Sequence, residues 1–80
     1  MHRFRIDASA EPQSFLRVMG QFAQRAIVPV ATEMRVDGDR MRIEVDARDL
    51  PPAQAALIAA KLREAVAVTG VELDHRAPQA

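Results

Sequence analysis

Two runs of alternating apolar and polar residues occupy the middle of the chain, within Ile27 to Ala47 (IVPVATEMRVDGDRMRIEVDA). They flank Val36-Asp37-Gly38-Asp39, and Asp-Gly is the favoured central pair of a type I′ turn, where both residues need positive φ. The pattern predicts a β-hairpin. Counting outward from Asp37-Gly38 pairs Met34 with Met41, Thr32 with Ile43, Val30 with Val45 and Val28 with Ala47 on an apolar face. The opposite face then pairs Glu33 with Arg42, Ala31 with Glu44 and Pro29 with Asp46, so one side is charged and wet. Such a sheet needs helices over its apolar side.

The flanking segments supply them. His2 to Ala8 alternates, with Phe4, Ile6 and Ala8 on one side and Arg3, Arg5 and Asp7 on the other, which predicts a first strand. From Pro12 the period changes: Phe15, Leu16, Met19, Phe22, Ala23 and Ala26 form one helical stripe, and Pro12 suits a first helical position. Gly20 inside that helix is expected to allow close approach of a neighbouring helix, the alanine-rich second one, with an exposed site as the alternative. After the hairpin, Pro51-Pro52 starts a second helix at Pro52, with Ala55, Ile58, Ala59, Leu62, Ala65 and Val66 on its apolar stripe. Neither proline donates a backbone N–H, so Asp49 is not expected to be a conventional N-cap. Alternation returns from Val68 to Arg76, with Val71, Leu73 and His75 on one side; Gly70 marks a bulge or the start of the strand. Ala77 to Ala80 is expected to fray.

The order β-α-β-β-α-β with right-handed crossovers defines an α+β, ferredoxin-like sandwich. Its four-stranded antiparallel sheet has the order 4-1-3-2, with both helices on one face, in a single domain spanning 1–80 and a core of about residues 2–76. The second strand is an edge, which Pro29 tolerates. On the open face Arg3 and Arg5 lie between Glu44 and Asp46 on one side and Glu72 and Asp74 on the other, the pattern of a solvated charged surface.

Composition narrows the function. Eleven basic and eleven acidic residues cancel, which removes the electrostatic footprint of a nucleic-acid or anionic-membrane binder. There is no cysteine, which excludes thiol catalysis and thiolate metal sites. No apolar run approaches the roughly 20 residues of a membrane span, and MHRFRID has no signal-peptide core, so a cytoplasmic protein is expected. The open-face positions lack the aromatic platforms of an RNA-binding sheet, and the loop Ala8-Ser9-Ala10-Glu11-Pro12 lacks a glycine-rich phosphate cradle. His2 and His75 can meet across the first and fourth strands, but two imidazoles do not complete a zinc site. Ser9 and Ser14 have no histidine base in their loop; Ser9 and Glu11 are expected to satisfy backbone groups at the helix start. No cofactor, metal site or catalytic residue is predicted, and the chain reads as a non-enzyme.

The run Pro12 to Ile27 (PQSFLRVMGQFAQRAI) resembles the first helix and second-strand start of ACT domains, and Lys61 to Leu73 (KLREAVAVTGVEL) is similar to the closing helix and strand of the short regulatory subunits of acetolactate synthase. This resemblance extends from about Phe4 to Leu73 and implies a regulatory module for amino-acid biosynthesis, binding an amino-acid effector at an interface. The effector would lie against Ala10, Glu11, Pro12, Gln13 and Ser14, facing Ile27, Val28 and Pro29 of a neighbouring chain. Gln13 and Ala26 replace the family's glycines, and Val28 its asparagine, which weakens the case for retained amino-acid binding. Implied partners are a second copy, paired through an edge containing Pro29, Ala31 and Glu33, and a large catalytic subunit. The alternative is a free-standing ACT-like dimer that senses another metabolite or serves as an interaction module.

Overall fold

In the computed structural model, which describes residues 1–75, the alternating and helical periods become β1 (His2–Ser9), α1 (Ser14–Ala23), β2 (Ala31–Asp37), β3 (Arg40–Ala47), α2 (Pro52–Arg63) and β4 (Val68–His75). Every strand pair is antiparallel and the sheet order is β2-β3-β1-β4, the ferredoxin-like arrangement expected from the element order. Arg76 and the tail from 77 to 80 lie outside the described residues.

Alternate residues of the two central strands form the floor of the core: Phe4 and Ile6 of β1, with Ile43 and Val45 of β3, are fully buried. Val18 and Phe22 descend on them from α1, and Ile58 and Leu62 from α2. Phe22 meets Phe4 edge to face, with ring centroids 5.1 Å apart at 83°, a geometry that adds to area burial.

α1 differs from its predicted stripe. It starts at Ser14, with Pro12 and Gln13 in a preceding turn, and it buries Ser14, Val18 and Phe22. Leu16, placed inside by the sequence pattern, is 68% exposed, and Ala23 and Ala26 are also exposed. The helix is rotated so that Val18 and Phe22, one turn apart, both point at β1 and β3. It ends in a Schellman-type turn: Ile27 N–H donates to the Phe22 carbonyl and Ala26 N–H to the Ala23 carbonyl, with Ala26 at φ 56°. Leaving the helix, Ala26 leaves the stripe. In α2 the expected Ala55, Ile58, Ala59 and Leu62 are buried, but the helix stops at Arg63 and Val66 is 94% exposed. The close helix contact expected at Gly20 does not form: an added Cβ there would meet nothing within 4 Å among the described residues.

The hairpin register also differs. The observed pairs are Ala31 with Asp46, Thr32 with Val45, Glu33 with Glu44, Met34 with Ile43, Arg35 with Arg42, Val36 with Met41 and Asp37 with Arg40. The loop is therefore Gly38-Asp39, displaced along the chain from Asp37-Gly38. Gly38 has φ 61° and neither aspartate has positive φ, which is the II′ pattern of glycine at the first loop position, whereas I′ needs two positive values. A slip by an even number of residues preserves the faces, so Met34 and Met41 still point to the same side. Val28, Pro29 and Val30 precede β2 and do not form the expected pairs; Val30 N–H donates to the Asp46 carbonyl, and Ala47 lies opposite His2. At Gly70 the sequence reading holds in its bulge form: the β1–β4 register shifts between Asp7 and Ala8, leaving Thr69 as the extra residue.

Candidate functional site

The loop following β1 is tied to both of its neighbours. Ser9 N–H donates to the Ala67 carbonyl, and Ala10 N–H to the Asp39 carbonyl of the hairpin turn, each at 2.9 Å. Glu11 N–H then folds back to the Ser9 carbonyl, and Ser14 N–H to the Glu11 carbonyl. Glu11 serves the helix start through its carbonyl, whereas the Ser9 carbonyl holds only Glu11 in the loop before the helix. The first turn of α1 has no side-chain cap, so it presents backbone donors and the positive end of the helix dipole.

Ala10 packs against the core while Glu11, Pro12 and Gln13 are exposed. Gln13 turns along the helix, its Oε1 accepting from Arg17 Nη2 at 3.1 Å. Ser14 is 2% exposed and its Oγ has no hydrogen-bond partner among the described residues. An orphaned buried hydroxyl costs about 1–3 kcal/mol, and it sits within the segment proposed for an effector.

Ile27, Val28 and Pro29 form the other half of the expected site. Ile27 is packed against the core and its N–H is used by Phe22; Val28 is 87% exposed; Pro29 is partly buried. Within one chain the halves are apart. The β1 loop lies at the sheet end where Ser9 faces Arg40 and Asp37 faces Arg40 from the other side, whereas Ile27 to Pro29 lead into Ala31, at the end where Asp46 lies between Ala31 and Arg3. The seven residues of β2 separate these ends by roughly 23 Å, at about 3.3 Å per residue.

The expected edge residues divide likewise. Ala31 and Glu33 lie on β2, an edge strand exposed along its whole length, and Pro29 precedes it. Met34 and Val36 face the helix side yet remain 47% and 57% exposed, because the helical layer stops short of this strand. The sequence pattern put Met34 on the apolar face that the helices cover; the missing signal was how far two short helices reach across four strands.

On the open face the anticipated charge lattice forms. Arg3 makes a two-pronged contact with Asp46, Nε to Oδ1 at 2.7 Å and Nη2 to Oδ2 at 3.1 Å, and Arg42 Nε reaches Asp7 Oδ1 at 3.0 Å. Arg5 lies 4.0 Å from Glu72. The hydrogen bonds to Asp46 and Asp7, then the attraction of their charges, raise the pKa values of Arg3 and Arg42 above the ordinary guanidinium value. Shallow depressions on this face are lined by Glu33, Arg35, Arg42 and Glu44, and by Arg3, Ala31, Thr32, Glu33, Glu44 and Asp46.

His2 and His75 come together as their strand positions allow, Nδ1 to Nδ1 at 2.7 Å, and His2 Nε2 lies 2.7 Å from the Leu50 carbonyl. A carbonyl only accepts, so His2 Nε2 carries a proton, and in the neutral ring its Nδ1 accepts from His75. The pair ties β1, β4 and the turn before α2 together. Among the described residues no group of three metal-ligating side chains forms, and no helix is long and apolar enough to cross a membrane.

The fold and the exposed edge define a class: a ferredoxin-like βαββαβ domain whose second strand is an edge, paired with β3 on one side. The model of the ACT-like domain family matches residues 1–80, and the chain belongs to that family. Among solved structures it is similar to the ACT domain of GTP pyrophosphokinase from Chlorobium tepidum, with a TM-score of 0.75 at 12% identity over 90% of this chain and 94% of that one. It is also similar to the C-terminal domain of the MgtC protein from Mycobacterium tuberculosis, with a TM-score of 0.67 at 13% identity over 91% and 83% of the two chains. Formyltetrahydrofolate deformylase from Pseudomonas putida KT2440 gives 0.69 at 17% identity over 94% of this chain but 28% of its own. No curated protein matches.

Proposed function

We propose that the chain is a non-catalytic ACT-like regulatory subunit which modulates an amino-acid biosynthetic enzyme, with acetolactate synthase as the first partner to test, and that it works as a homodimer through the β2 edge. The observation that carries this reading is the separation of the two site halves: Ala10–Ser14 and Ile27–Pro29 occupy opposite ends of one sheet, so an effector touching both needs two chains. Family membership over residues 1–80 and the resemblance of Lys61 to Leu73 to the acetolactate synthase subunits support it. A regulator shifts its partner only by binding two states of it differently. The candidate surfaces are the β2 edge and the Ala10–Ser14 loop.

A second reading, a free-standing dimer that senses another small metabolite or serves as an interaction module, is favoured by Gln13 and Val28. Both are exposed, and Val28 offers no hydrogen bond to an amino-acid ligand. Valine, leucine and isoleucine are therefore expected to bind weakly or not at all, while activation of a catalytic subunit survives. The test is to assay acetolactate formation by the purified large subunit, with and without this protein and branched-chain amino acids. A changed rate with co-elution supports the regulatory subunit; an unchanged rate with no co-elution rejects it in favour of the sensor. Strong valine inhibition would show that Gln13 and Val28 leave the effector site intact.

A further inference from the structure

β2 holds its neighbour against an electrostatic penalty. On the open face Glu33 lies directly opposite Glu44, and Arg35 directly opposite Arg42, and like charges facing each other destabilise a strand pair. On the free side of the same strand no other strand of the described residues lies. Residues flanking a two-residue hairpin loop form a hydrogen-bonded pair, and bonded and non-bonded pairs then alternate. Asp37 and Arg40 are that flanking pair. Ala31, Glu33, Arg35 and Asp37 thus point their backbone groups at β3, while Thr32, Met34 and Val36 point theirs outward. The other edge is guarded: β4 carries the Thr69 bulge, and Arg63 Nη2 donates to the Val71 carbonyl at 3.1 Å.

Resting on the homodimer reading above, we infer that a second copy pairs antiparallel with β2 about a two-fold axis through Met34, setting Glu33 against Arg35 of the second copy and Arg35 against its Glu33. A two-fold axis normal to the sheet keeps the helices of both copies on one side, so residues facing across it must share a face. An axis at Glu33 sets Glu33 against Glu33. An axis at Arg35 sets Arg35 against Arg35 and Glu33 against Asp37. Axes at Thr32 or Val36 overlap only one end of the strand. Met34 is the midpoint of Ala31–Asp37, so the axis there pairs the whole strand, and it is the choice that restores charge alternation across the open face.

Under the sheet the same register brings Met34 against Met34 and Thr32 against Val36, covering Met34 and Val36, the large apolar side chains of β2 that the helices leave exposed. It also runs the segment before Ala31 alongside the Asp37–Asp39 end of the second copy, whose Asp39 carbonyl holds Ala10. The two site halves thereby become neighbours.

Charge reversal reads this register directly. Glu33→Arg and Arg35→Glu should each weaken self-association at least tenfold by sedimentation. Each also removes a like-charge contact inside the chain, so folding by circular dichroism should be retained or improved. The double variant E33R/R35E should associate like the wild type, because both new pairs are again opposite. The chain has no cysteine, so M34C alone should form a disulfide-linked dimer under mild oxidation, since hydrogen-bonded antiparallel pairs place Cα atoms about 5.5 Å apart. T32C alone should not. A wild type that is monomeric overturns the homodimer itself. A wild-type dimer that ignores the charge reversals and does not cross-link at M34C overturns this register and leaves the homodimer standing.

Discussion

Ala26 is the residue at which sequence and backbone disagree most plainly. It occupies the left-handed position that closes α1, at φ 56°, where glycine loses nothing and an L side chain is strained by about 1–2 kcal/mol. Ala26→Gly should therefore stabilise the chain by about 1 kcal/mol, raising the melting temperature by about 4–8 °C for a domain of this size. Gly20 is the converse case, a helical glycine with open space at its Cβ. Gly20→Ala should add about 0.5–1 kcal/mol, read from urea midpoints at unchanged slope. Ser14→Ala removes a buried hydroxyl that has no partner among the described residues. The unliganded protein should be unharmed or more stable by denaturation, and any effector response that uses this hydroxyl should fall.

At the scale of elements, the rotation of α1 has a direct test. Val18 is 1% and Leu16 68% exposed, so Leu16→Gln should change stability by less than about 0.5 kcal/mol. Val18→Ala should cost about 1.5–3 kcal/mol, the scale of burying such a side chain. Both would be measured by chemical denaturation, and the reverse ranking would restore the stripe read from the sequence. That stripe was ambiguous because Phe15-Leu16, Val18-Met19 and Phe22-Ala23 are all apolar pairs, and only the tertiary target on β1 and β3 chooses among the possible faces. The strands were more legible, since a period of two leaves one choice of face, and Phe4, Ile6, Ile43 and Val45 all lie where alternation puts them. The hairpin register was not, because Asp37-Gly38-Asp39 contains both Asp-Gly and Gly-Asp, which specify different loops. The candidate site was legible only as residues and family resemblance. That Ala10–Ser14 and Ile27–Pro29 lie at opposite ends of the sheet depends on topology, which no local pattern carries.

The whole molecule places an exposed apolar and hydrogen-bonding edge on a small domain. Met34 and Val36 are about half exposed on a strand whose outward backbone groups have no strand of the described residues against them, a surface suited to association. If β2 is the interface, unfolding is linked to association and the urea midpoint should rise with protein concentration. The central claim is that the functional unit is two chains, and sedimentation equilibrium of the wild type from low to high micromolar concentration tests it most directly. The expected result is a mass that rises to twice the 8.8 kDa chain mass; a mass that stays at one chain across the range would contradict the account.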